Sequence, residues 1–388
     1  MESRTDSQMD SPNLPDWALV GQQYTADDVK GFTQVLTTLG PLAALWYAVP
    51  LSTGVSLWLT AAAIVLMMLF LIRGFVLLHE CGHASLFRTP WLNRAFGFVF
   101  GVMAGMPQFV WSKHHAYHHA TNGNWSKYTG PLNTRSVDEF RALTPGQQRK
   151  YESARDIRLA PFAGFMYLIF NPRITWLVGS VKLVVHVLKG MVAQPGVSWR
   201  THAAGFKTPY WNDAREYWHM FWNNVVLLSV WAAMSWWIGP ALFFSVYLAS
   251  IALAGGIVIV LFSVQHNFEH SYASGNEGWD INAAAIHGTS FLVLPRWLHW
   301  FTANIAYHHI HHLSARIPNY CLIECHARYQ HLFSQVRRIR LSELPAAMKH
   351  ILWDVQARRI ISVAEFRRLE ADRLSYLPLS AAAASSAK

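Results

Sequence analysis

Between Lys30 and Arg73, and again between Glu216 and Glu269, the chain carries no Asp, Glu, Lys or Arg. A bilayer-crossing helix needs roughly 20 apolar residues, so each run has room for two crossings and a tight turn. Pro and Gly supply the turns, in VPLSTG (Val49–Gly54) and WWIGPA (Trp236–Ala241). The pattern predicts two helical hairpins, with spans near 32–49, 55–78, 217–237 and 241–264. Charged residues make up only 14% of the chain, well under the quarter usual in soluble proteins. The 18 tryptophans suit membrane–water interfaces, where that side chain collects. The expected fold class is therefore an all-α integral membrane protein with four transmembrane helices.

A net charge of +10 raises nucleic acid as a partner, but its distribution points to a membrane surface instead. Neither hairpin turn contains Lys or Arg, whereas Arg73, Arg88, Lys207, Arg215 and Arg296 flank the opposite span ends. The positive-inside tendency makes those ends cytoplasmic. Residues 1–30 read as a polar, mobile tail with no apolar leader, and 31–340 as the membrane domain. Within that domain Trp91–Trp111 and Ala160–Lys189 are apolar but interrupted, the second by Pro172, Arg173 and Lys182. Both are expected as helices on the interface or packed on the cytoplasmic face. Residues 341–376 read as a C-terminal cytoplasmic helix bearing Arg358, Arg359, Arg367 and Arg368, and 377–388 as a disordered tail. Cys81, Cys321 and Cys325 form no disulfide framework, and a packing role is expected for them.

Twelve of the 20 histidines fall into four groups. They are HECGH (His79, His83), KHHAYHH (His114, His115, His118, His119), QHNFEH (His266, His270) and AYHHIHHL (His308, His309, His311, His312). Residues three and four apart share a helix face, so H-x-x-x-H presents two imidazoles and H-x-x-H-H presents three. Neutral imidazole is a strong ligand for iron, zinc, copper and nickel. His79, His83, His115, His118, His119, His308, His311 and His312 exceed the six ligands of one octahedral ion, which implies two metals. HECGH also matches the H-E-x-x-H zinc-protease pattern, with Glu80 as base, but that reading leaves both H-x-x-H-H triplets unexplained. A metal transporter would place ionisable residues along the spans, and these spans have almost none.

Taken in order, HECGH, HHAYHH, QHNFEH and AYHHIHHLSARIPNY resemble the histidine boxes of the membrane fatty acid desaturase superfamily. The phrases QHNFEHSY, LPRWLHWFTANIAYHHIHHL and RIPNYCL look most like those of bacterial and plastid-type acyl-lipid desaturases. The resemblance spans roughly Phe32 to His331. It implies a non-haem di-iron centre in a helical cap on the cytoplasmic side, with His266 completing the ligand set. His114, His270, His309 and Asn304 become candidates for orienting the ligands from behind. The implied reaction uses O2 and two external electrons to turn a methylene pair of a long fatty acyl chain into a double bond. An apolar tunnel would hold the chain, lined by span ends and aromatics near Trp111, Trp297 and Trp300. No H-P-G-G phrase or paired C-x-x-C points to a fused electron carrier, so a separate one, such as ferredoxin with its reductase, is expected. Alternative outcomes of the same oxidant are decarboxylation to a 1-alkene and lipid hydroxylation.

Overall fold

The computed structural model describes residues 15–128, 134–357 and 359–373. Residues 1–14, Arg358 and the expected disordered tail lie outside them. Residues 15–30 do not form a tail. Asp16 caps a short helix α1 (Trp17–Gln22), whose Trp17 and Val20 are buried against Ile310, Ile317 and Phe333. Helix α2 (Asp28–Thr53) begins at its cap Asp27, and α3 (Leu57–Gly82) begins at Ser56 after a three-residue turn. Pro50 lies in the last turn of α2, and Gly54 closes it, so the sequence signal for this hairpin marks a real reversal.

Next come α4 (Pro90–Ala104) and α5 (Gln108–Thr121), bent by 98° to one another. Gly105 takes a positive φ of 72° at the bend, and Pro107 caps α5. A long helical run, α6 (Ile157–Ala193), follows. It passes through Pro172 by widening into a π-helical turn at Met166–Phe170. Proline has no N–H and crowds the carbonyl four residues back, and a π turn relieves both. Arg173 supplies replacement donors, to Leu168 O and Ile169 O at 3.2 Å each. It also bonds Gly105 O at the α4–α5 bend and Asn224 Oδ1 of the next helix. Helices α7 (Ala214–Ile238) and α8 (Pro240–His266) form the second hairpin, turned by Gly239 at a φ of 83°.

Among the described residues, α2, α3, α6 and α8 are long and apolar enough to cross a membrane. The bent α4–α5 pair also qualifies if taken as one span. This set differs from expectation in two places. Helix α7, the third expected span, is continuous over 25 residues but is not in it, and buries Glu216, Asn223 and Asn224 near its start. Helix α6, expected on the interface, is in it, and most of its apolar side chains are exposed or only half-buried. Helices α6 and α8 meet through glycines: a Cβ on Gly255 would stand 2.9 Å from Gly164, and one on Gly256 would stand 2.7 Å from Pro161 N. Small residues allow such close approach between apolar helices.

The cap is not wholly helical. Strands β2 (Ser290–Val293) and β3 (Arg337–Arg340) pair in parallel. β1 (Arg135–Ser136), β4 (His350–Asp354) and β5 (Arg359–Ser362) form a second sheet in the order β1-β4-β5. The expected 341–376 helix is therefore replaced by two short helical turns, β4, β5 and a helix over 363–373. HILW and RIIS are rich in β-branched and aromatic residues, and Ile351, Leu352 and Ile361 bury in one cluster with Phe140 and Phe366. Cys321 and Cys325 are buried, unpaired thiols in the cluster that receives α1.

Candidate metal centre

His79 and His83 sit in the last turn of α3 and at its C-cap, one turn apart, with ring centroids 4.8 Å from each other. α5 carries His115, His118 and His119, and α8 ends on His266. The fourth group occupies a six-residue helix, α9 (His308–Leu313). Ala303 and Asn304 precede it in the left-handed region, at φ 44° and 61°. Asparagine tolerates that conformation better than most residues, and the turn lets α9 enter the interior.

The nine histidines assemble into two groups. The ligand atoms of His79, His83, His115, His119 and His311 all lie within 4.8 Å of one another, as do those of His118, His266, His308 and His312. The groups adjoin, with His119 stacked on His312 at 4.1 Å. Nitrogens approach nitrogens: His118 Nε2 is 3.1 Å and His308 Nε2 is 2.9 Å from His266 Nε2. His119 Nε2 is 3.0 Å from both His115 Nε2 and His311 Nε2. The Nε2 atoms of His79, His83 and His312 are buried without a hydrogen-bond partner. Imidazoles converging this way, with lone pairs unsatisfied, could hold a shared cation. A metal–nitrogen bond of about 2.0–2.1 Å separates adjacent ligands by about 3 Å, the spacing seen here. Burial pushes His83 down to about 3 and holds His308, His311 and His312 well below the ordinary histidine range. These rings are therefore neutral, the form that binds metal.

The residues expected behind the ligands divide. Asn304 Nδ2 donates to Asn319 O at 3.0 Å, and Asn319 N–H donates to Glu80 Oε2 at 3.0 Å. Glu80 Oε1 in turn meets His79 Nδ1 at 3.1 Å. Glu80 and Asn319 thus stand closer to the imidazoles than the residues first singled out, apart from the ligands. Adjacency to His79 was the available signal for Glu80. His309 is buried but turns away, its Nε2 3.1 Å from His326 Nδ1. His114 and His270 are exposed, and His270 lies 3.7 Å from Glu269. Glu80 also accepts from Ser85 Oγ at 3.0 Å. Bound on both oxygens and set behind His79, it is not a base poised over a single zinc, and the protease reading fails.

A cavity of about 390 Å³ opens beside both groups, touching His115 of one and His118 of the other. Phe75, Trp111, Tyr167, Val258 and Phe262 make its apolar wall. Trp111 Nε1 donates to Tyr167 Oη at 2.9 Å, which uses up the indole's one polar atom. Trp297 and Trp300 do not line the cavity: Trp297 is exposed, and the Trp300 ring lies 4.0 Å from the Arg73 guanidinium.

Residues 56–342 match the family model described as fatty acid desaturase. A protein of Bacillus subtilis (strain 168) named fatty acid desaturase is 31% identical over 330 residues, covering 85% of this chain and 84% of its own. An sn-1 oleoyl-lipid 12-desaturase of Picosynechococcus is 25% identical, covering 65% of this chain and 64% of its own. A chloroplastic omega-6 fatty acid desaturase of Spinacia oleracea is 23% identical, over 79% and 60% of the two chains.

Proposed function

The chain belongs to the fatty acid desaturase family of oxidoreductases, and from that premise we propose that it desaturates a long acyl chain at a di-iron centre on the cytoplasmic face of a membrane. The observation that carries this reading is the meeting of nine imidazoles in two groups beside one largely apolar cavity. His79, His83, His115, His119 and His311 would hold one iron, and His118, His266, His308 and His312 the other. Two irons bound there would supply, with O2 and two electrons from a separate carrier, the power to oxidise an unactivated methylene.

The protein's own part is positional. An alkyl chain has no polar handle, so shape must select the methylene pair, and good positioning can account for a large part of a rate enhancement. Phe262 lies beside His115, His118, His266 and His308 at ring distances of 5.6–6.1 Å, which makes it a wall shared by both groups. Phe75, Trp111 and Val258 continue the apolar wall, and Arg155 and Asp156 line its polar part. The names of the oleoyl-lipid relatives favour an acyl group carried on a membrane lipid as the substrate. Sidedness is supported by Arg88, Lys207, Arg215 and Arg296, which flank the histidine-bearing ends. The division into a membrane domain over 31–340 and a following cytoplasmic segment is part of the same proposal.

Expression in a host lacking polyunsaturated lipids, with mass spectrometry of its fatty acids and volatile hydrocarbons, tests the proposal. New dienes in membrane lipids are expected. Release of 1-alkenes, or hydroxylated acids in place of dienes, would overturn it.

A further inference from the structure

Behind the five-histidine group runs a buried polar chain through the RIPNY segment, to which the reaction itself assigns no part. It starts at Arg73, a cation only 3% exposed in the middle of α3. Arg73 donates to Thr38 Oγ1 at 3.1 Å, to Gln34 Oε1 at 3.2 Å and to Trp300 O, under the Trp300 ring. Gln34 and Asn319 face each other as an amide pair: Gln34 Nε2 donates to Asn319 Oδ1 at 3.0 Å, and Asn319 Nδ2 to Gln34 Oε1 at 2.8 Å. The backbone of Asn319 then holds Glu80, and Glu80 holds His79. Glu80 and Asn319 are each 1% exposed, so no solvent is present to substitute for a lost partner.

Each link fixes the next. The Arg73 guanidinium can only donate, so it makes its Gln34 contact the amide oxygen. That orientation leaves Gln34 Nε2 for Asn319 Oδ1 and sets the Asn319 amide in turn. Asn319 N–H and Ser85 Oγ both donate to Glu80 Oε2, which leaves Oε1 as the acceptor beside His79. The proton of a neutral His79 then belongs on Nδ1, and its lone pair on Nε2, the atom buried without a partner. A carboxylate behind a ligating imidazole fixes the tautomer and raises the ligand's basicity. No hydrogen bond connects this chain to His118, His266, His308 or His312 among the described residues.

We propose that Arg73, Gln34, Asn319 and Glu80 form a positioning relay that fixes the tautomer of His79 and so tunes the five-histidine site independently of the four-histidine site. The relay rests on the di-iron reading above, and its test separates the two. The full-length protein, purified in detergent and loaded with ferrous iron, is dialysed against a graded chelator series. Iron per chain is measured, and Mössbauer doublets distinguish the two ions. Glu80→Gln should release one iron at about 10–100-fold lower chelator than wild type, the cost typical of such outer partners. Gln34→Met, which keeps the length and removes both amide bonds, should release the same iron earlier than wild type, though by a smaller factor. That iron should be the one lost in His311→Ala and retained in His312→Ala, while the second iron keeps wild-type resistance. Parallel loss of both irons would mean a loosened fold and overturn the relay, as would unchanged retention in both variants. A wild-type chain that takes up no iron would instead remove the di-iron reading itself.

Discussion

His79 has two ring nitrogens with opposite surroundings, one against a carboxylate and one among imidazoles. That contrast was only half legible in the sequence. The i, i+4 spacings put His79 with His83, His115 with His119 and His308 with His312, because helical periodicity is local, while His118 and His311 each join the other group. What stands behind them depends on Ser85, a local partner of Glu80, and on Asn319, which reaches Glu80 from 239 residues away. His309 and His270 show the same limit: each lies in sequence beside or near a histidine of the two groups, yet one ring turns to His326 and the other to solvent. The division into five and four gives a test on single residues. His311→Ala and His312→Ala each remove one nitrogen, from different groups. Each should lower iron from about two toward one per chain by elemental analysis. Each should cost more activity than the ~10–100-fold loss typical of an outer partner. If both variants lost the same ion, the two-group assignment would be wrong.

The helical hairpins follow from charge-free runs, but two elements differ because local pattern competes with packing. Pro172 and Arg173 look like a break, and the chain carries on through them because a π turn makes room and Arg173 bonds the freed carbonyls. The basic C-terminal segment looked helical by its pattern of charges, yet the apolar side chains of HILW and RIIS decide for strands against Phe140 and Phe366. Two substitutions test the packing around α6. Gly256→Leu would drive a side chain into the Pro161 backbone. It should cost at least the ~1–3 kcal/mol of ordinary overpacking, seen as a lower melting temperature and loss of monodisperse protein. Ala163 lines the cavity, and Ala163→Trp should shorten it. The fatty acid profile should shift toward shorter substrates with iron content unchanged; an unaltered profile would place the acyl chain elsewhere.

At the scale of the molecule, histidines from four regions of sequence meet where α3, α5, α8 and α9 come together. The net charge of +10 bears on how electrons reach that place. An acidic carrier would be drawn to a basic face by long-range attraction, which salt screens over about 8–10 Å. Turnover driven by such a carrier should therefore slow as ionic strength rises from low salt to physiological levels, while turnover driven by a small uncharged reductant should not. Equal salt dependence for both would point away from electrostatic steering.

None of the nine imidazoles carries a negative charge, and Glu80, the one carboxylate touching them among the described residues, is already committed to Ser85 and Asn319. Two divalent cations lodged in this surround would be left with much of their charge uncompensated in a medium that screens poorly. Such a pocket is an anion trap. Azide or cyanide should occupy it at low concentration and compete with O2, whereas sites built on bridging carboxylates arrive with their countercharge in place.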